Sequence, residues 1–291
     1  MRKALFSLLF CMLLAMPAAR ARENSLFGPL QRGERAALLM VHFGTSHDDT
    51  RERTIDAVNA RAREAFPDLE VREAWTSPTI IRILKKRGIV RQTPAEVLQQ
   101  LRKEGYTHIV IQATLLLEGA ETESLRHVVA RQKGFKEVRI GKPLLYSVKD
   151  CRQVTEILAA RHADAVGRRN HVVFVGHGSY TPATATYSQL DHLFTADGHP
   201  NCHVATIEGY PTLRTLKERL KSLKARRVRL VPLLFVAGDH ARNDIAGEWK
   251  EALEKEGLQV DCRLEGLGEI PEIQDLYISH IRSAEPWHLT D

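Results

Sequence analysis

Apolar residues recur along this chain with two alternating periods. The short β-rich runs AALLMVHF (Ala36 to Phe43), LEVREAW (Leu69 to Trp75) and THIVIQAT (Thr107 to Thr114) read as strands. Between the first two, Asp49 to Ala65 places Ile55, Val58, Ala62 and Ala65 on one helical face. Ser77-Pro78 opens another helix, with Ser as cap and Pro in the first turn. Thr93-Pro94-Ala95-Glu96 is a capping box, and the helix it starts ends at Gly105. A helix from about Glu121 to Gln132, the weaker strand KEVRI (Lys136 to Ile140) and a helix over 150–166 complete the first half. The second half runs likewise: a strand over 171–175, a helix near 184–196, then CHVATI (Cys202 to Ile207). A helix from Pro211 to about Leu223 leads to RVRLVPLLF (Arg227 to Phe235), and one from Ala241 to Lys255 to QVDCRL (Gln259 to Leu264). A last helix spans Pro271 to Arg282. Such alternation of strands and long helices predicts parallel sheets with crossover helices.

The halves also match each other. Val41-His42-Phe43-Gly44-Thr45-Ser46 aligns with Val175-Gly176-His177-Gly178-Ser179-Tyr180. Leu116-Leu117-Glu118-Gly119-Ala120-Glu121 aligns with Phe235-Val236-Ala237-Gly238-Asp239-His240. Two anchors in the same order indicate an internal duplication. The expected organisation is two α/β domains, 22–167 and 168–291, behind an N-terminal segment, 1–21.

That segment changes the picture of where the protein works. Met1-Arg2-Lys3 is basic, Ala4 to Pro17 is apolar, and Ala19-Arg20-Ala21 is a small-residue exit. This is the layout of a secretory signal peptide cleaved after Ala21, so a periplasmic, soluble mature protein without membrane insertion is expected. Cleavage removes Arg2, Lys3 and Arg20 and no acid, taking the net charge from +6 to +3. The remaining basic residues are interspersed with acids, as in Lys217-Glu218-Arg219, which argues against nucleic acid. Cys151, Cys202 and Cys262 stay behind as an odd, widely spaced set that is neither a disulfide framework nor a zinc knuckle. Oligomeric state stays open, a homo-oligomer included.

In open parallel sheets, ligands bind beyond the carboxyl ends of the strands. His177, Glu208 and His240 fall at such ends, 31 and 32 residues apart, about one strand–helix unit each. Glycines flank His177 and let backbone and ligand approach closely. Two imidazoles and a carboxylate suit a divalent transition ion such as Co²⁺, Fe²⁺, Ni²⁺ or Zn²⁺. His108, His162, His171, His192, His199, His203, His280 and His288 are taken as surface or structural. Other templates fit worse: G-x-S-x-G is absent around Ser179, and no glycine-rich phosphate cradle occurs.

HFGTSHDDTRERTIDAV, IQATLLLEGAE, VGHGS, IEGYP and VAGDHARNDIAG together resemble the class II tetrapyrrole chelatases, above all the anaerobic sirohydrochlorin cobaltochelatase family of cobalamin biosynthesis. The resemblance implies two Rossmann-like domains with a cleft between them. It implies metal-binding roles for His177 and His240, with Glu208 as the strand-end acid and Glu121 as the first-domain acid. Sirohydrochlorin and Co²⁺ would be the substrates, with Fe²⁺ as a second metal. His177, His240 or Glu121 would accept the pyrrole protons. Thr45, Ser46 and Ser179, with Arg51 or Arg53, are expected near the carboxylates of the macrocycle. An ordinary solvated helix face is the competing reading of the two arginines. Biosynthetic relatives work in the cytoplasm, so an exported form suggests metal or haem handling, with His127 as a candidate haem ligand. The rival readings are a binding protein for metal or tetrapyrrole without turnover, and a protoporphyrin ferrochelatase.

Overall fold

A computed structural model describes residues 22–24 and 26–287; the expected signal segment, 1–21, lies outside the described residues. A small antiparallel hairpin comes first, β1 (Arg22–Asn24) and β2 (Gly28–Leu30), which the apolar pattern does not announce. The first sheet then builds from β3 (Ala36–His42), β4 (Glu70–Trp75), β5 (His108–Ala113) and β6 (Glu137–Ile140). The second builds from β7 (Asn170–Gly176), β8 (Cys202–Thr206), β9 (Arg227–Leu233) and β10 (Gln259–Cys262). The spatial orders are β6-β5-β3-β4 and β10-β9-β7-β8, with parallel pairing throughout. Replacing each strand of the first half by its counterpart in the repeat turns one order into the other. The sheets therefore share one topology, as the internal repeat implies.

Helices connect these strands. One continuous helix runs from α1 (Asp48–Arg51) through a π-helical stretch, Glu52–Asp56, into α2 (Ala57–Ala65). α3 (Pro78–Lys86) and α4 (Pro94–Lys103) start at the expected caps: the Ser77 side chain accepts the Ile80 N–H, and Thr93 with Glu96 closes a capping box. α5 (Ala120–Ala130) follows β5, and α6 (Val148–Arg161) precedes β7. In the second half come α7 (Ala185–Ala196), α8 (Leu213–Ser222), a π-helical stretch Ala241–Trp249 leading into α9 (Lys250–Glu254), and α10 (Pro271–Arg282).

The chain end crosses from the second half back to the first. β11 (Glu285–Pro286) pairs antiparallel with β6, on the edge of the first sheet, and α10 packs against α2, β5 and α6. An apolar face explains this return: Ile273, Tyr277, Ile278 and Ile281 are buried in the same cluster as Met40, Ile55 and Trp75 of the first half and Phe174, Tyr187 and Phe235 of the second. A single core thus lies between the sheets, while each sheet also has a core of its own on its other face. Both faces of β3 and β5 are covered, which accounts for the apolar run of β3 and for β5 being buried along its whole length, Gln112 included.

Several histidines are part of this packing. His171 and His203 sit side by side on β7 and β8, with Nδ1 of the first 2.9 Å from Nε2 of the second. Burial pushes His203 down to about 3, with Arg219 and His171 adding to the effect. Burial likewise takes His42 and His162 down to about 4. These rings are neutral in the folded protein but protonate in the unfolded chain near its ordinary value of 6.5. Because the unfolded state then binds more protons, stability is full above that pH and falls as the pH drops toward 4. Each such ring adds a slope of about 1.4 kcal/mol per pH unit. Urea unfolding at pH 7 and pH 5 should show this fall, and His203→Leu should make it shallower; an unchanged midpoint would count against the assignment.

Candidate functional site

His177 and Glu208 are held together by the backbone before their side chains matter. The β7–β8 pairing continues past both strands: Ile207 N–H donates to the Gly176 carbonyl (2.9 Å) and Glu208 N–H to the His177 carbonyl (2.8 Å). The two side chains leave adjacent positions, and His177 Nδ1 lies 4.0 Å from Glu208 Oε2. The flanking glycines owe their conservation of space to the protein itself rather than to a ligand. A Cβ on Gly178, at φ +96°, would fall 1.6 Å from the Glu208 carbonyl oxygen. One on Gly176 would fall 2.3 Å from the Tyr187 ring, whose hydroxyl accepts the Gly178 N–H at 3.3 Å.

His240 reaches the same place by a different route. β9 ends at Leu233, two residues before the predicted Phe235, so His240 sits at the head of the π-helical stretch and not on a strand tip. Its ring stands perpendicular to that of His177, at 87° with centroids 4.8 Å apart. His240 Nδ1 is 2.6 Å from Asp244 Oδ2. The sequence reading passed over Asp244; the His-x-x-x-Asp spacing, one helical turn, was the available signal. The expected convergence of His177, Glu208 and His240 on one point is only partly realised. Their side chains cluster, but among the described residues no group of three His, Cys, Asp or Glu is arranged to hold an ion.

The opposite half supplies Glu121, at the start of α5. The residue is exposed at the surface of the site, but the protein packed around the carboxyl desolvates it and raises it above the usual carboxylate range, while His177 pulls it back. The loops that carry the repeat face each other crosswise. A Cβ on Gly119 would lie 3.4 Å from Ala183 and 3.6 Å from Thr181 Oγ1, and one on Gly238 would lie 3.7 Å from Thr45 Oγ1. Phe43, the counterpart of His177, is an exposed aromatic, as are Tyr180 and Tyr210. The hydrogen bond from Tyr180 to Glu208 raises the phenol.

The expected carboxylate contacts are redistributed. Thr45 is buried and its hydroxyl accepts the His47 N–H at 3.2 Å, which shapes the turn. The Ser46 carbonyl accepts from Arg87 at 2.6 Å, and Ser179 bonds to Thr181 at 2.8 Å on the loop facing Gly119. Arg51 is paired with Asp48 and Asp56, and Arg53 with Asp49 and Glu269, so acids of the protein already occupy both. His127 lies exposed on α5 with Nε2 3.7 Å from Glu123. Replacing Gly178 by Ala should push the Glu208 backbone away from His177. We expect a stability loss of about 1–3 kcal/mol with a larger loss of metal affinity; calorimetry with cobalt titration checks it, and retained affinity would contradict the close approach.

Known proteins resemble the chain in sequence and in fold. The family model described as cobalt chelatase (CbiK) matches residues 36–285. A sirohydrochlorin cobaltochelatase of Salmonella typhimurium is 37% identical over 254 residues, covering 85% of this chain and 96% of the relative. Another, from Nitratidesulfovibrio vulgaris, is 33% identical over 256 residues, covering 85% and 89%. In fold, SirB from Bacillus subtilis, solved with Fe³⁺, superposes with a TM-score of 0.61 at 17% identity, covering 86% of this chain and 95% of its own. CbiX, described as the terminal enzyme of sirohaem biosynthesis in denitrifying bacteria, does so with a TM-score of 0.54 at 17% identity, covering 86% and 99%. The matched span holds both sheets and all four clustered side chains, and the chain belongs to the CbiK cobalt chelatase family.

Proposed function

We infer that this chain inserts Co²⁺ into sirohydrochlorin, with release of the two pyrrole N–H protons. The observation that carries the reading is the gathering of His177, Glu208 and His240 at the cleft, with Glu121 opposite, in a chain of this family. The imidazoles and the carboxylate hold the incoming ion and leave positions open for ring nitrogens. As those nitrogens bind the metal they release two protons: Glu121, whose desolvated carboxyl is a stronger base than an ordinary carboxylate, accepts one, and an imidazole vacated by the departing ion takes the other. Exposed Phe43, Tyr180 and Tyr210 offer flat apolar surface to the macrocycle. Fe²⁺ is proposed as a second substrate metal, because an imidazole–carboxylate set discriminates weakly among first-row ions.

Anaerobic incubation of the mature protein with sirohydrochlorin and Co²⁺ should convert the spectrum of the macrocycle catalytically. His240→Ala should abolish the conversion, and Glu121→Gln should lower kcat on the order of 10²-fold. Stoichiometric binding without conversion would make the protein a carrier instead, and no interaction with either substrate would overturn the assignment altogether.

The basic, apolar and Ala-x-Ala pattern of residues 1–21 supports export to the periplasm. Cell fractionation with N-terminal sequencing should find a chain beginning at Arg22 outside the inner membrane; a cytoplasmic chain beginning at Met1 would refute it.

A further inference from the structure

The two site histidines are held very differently. His177 Nδ1 has the Gly178 carbonyl at 3.4 Å and Glu208 Oε2 at 4.0 Å, both too long to fix the ring firmly. His240 Nδ1 meets Asp244 Oδ2 at 2.6 Å, a short charge-assisted contact. Asp244 is well placed to keep its position. It lies in the first turn of the π-helical stretch, where free N–H groups favour an anion, and four residues after His240 on the same side of the helix. Its side chain is 26% exposed against 54% for His240, so the carboxylate braces the ring from the protein side.

A carboxylate at Nδ1 has one further consequence. It can accept a hydrogen bond but cannot donate one, so the neutral His240 ring must carry its hydrogen on Nδ1. Nε2 is then left with a free lone pair. In metal sites this arrangement fixes both the tautomer and the orientation of the ligating ring. π-Helical turns, rare elsewhere, occur often at such functional positions.

The geometry points to Asp244 as a positioning residue that presets His240 as an Nε2 metal ligand before cobalt arrives. This rests on the proposed role of His240, and it leaves His177 as the partner free to reorient as the ion passes to the macrocycle. Nitrogen-15 NMR of the metal-free wild-type protein should show His240 as the Nδ1–H tautomer. Asp244→Ala should shift it toward the Nε2–H form, while Asp244→Asn, whose amide oxygen still accepts a hydrogen bond, should largely keep it. In steady-state assays Asp244→Ala should raise the KM for Co²⁺ roughly 10–100-fold, with the KM for sirohydrochlorin little changed, and Asn should partly restore it. An unchanged tautomer in Asp244→Ala, or a parallel rise in both KM values, would overturn the assignment. The NMR arm needs no turnover, so it tests Asp244 even if the chain proves not to be a chelatase.

Discussion

The site depends on the contact between the backbone of Gly178 and the carbonyl of Glu208. Two strands that pair normally place their residues side by side, but beyond the sheet the chains usually diverge. Here the pairing runs on for two more hydrogen bonds, and only a residue without a Cβ, at positive φ, can take the turn that follows. Tyr187 fills the space beside the other glycine and anchors the turn through its hydroxyl. His177 and Glu208 are consequently set by backbone geometry, and the position of their side chains does not rely on a bound ion.

Duplication supplies the second half of the design, and its asymmetry gives the site its chemistry. Both sheets share one strand order, and loops of the two halves meet crosswise at the site. Yet position 43 is Phe where the second half has His177, and position 121 is Glu where it has His240. One half therefore carries imidazoles at the site, and the other an aromatic ring and an acid. The shared core and the returning α10 tie the halves together. Two polar contacts bridge the halves near the site, a hydrogen bond between His47 and Asp239 at 2.7 Å and an ion pair between Asp49 and Arg242 at 3.2 Å, and hold the loop leading into His240 against the first half.

Arginines show how misleading charge alone can be. Arg51 and Arg53 lie next to a loop of the cleft, where an anionic substrate would suggest a binding role. Each is instead neutralised by acids of the protein, and such pairs are worth little to stability when exposed but do occupy the guanidinium donors. Residue type and nearness in sequence could not reveal this, because Glu269, the partner of Arg53, comes from the far end of the chain.

By itself the sequence determined the alternation of strands and helices, the helix starts at Ser77 and Thr93, the internal repeat, and His177, Glu208 and His240 as candidates, while Glu121 was implied by the resemblance to the chelatases. These are legible because periodicity, capping and repeat spacing are local properties of the chain. Tertiary structure decided the rest. It sent α10 and β11 back to the first sheet because an apolar helix face needs a core to cover it, and nothing in the order of residues says which. It placed His240 on a helix head, buried Thr45, and put Asp244 on the His240 ring. Each of those outcomes rests on distances between segments far apart in sequence or on the winding of a helical turn, and these become defined only once the halves have packed.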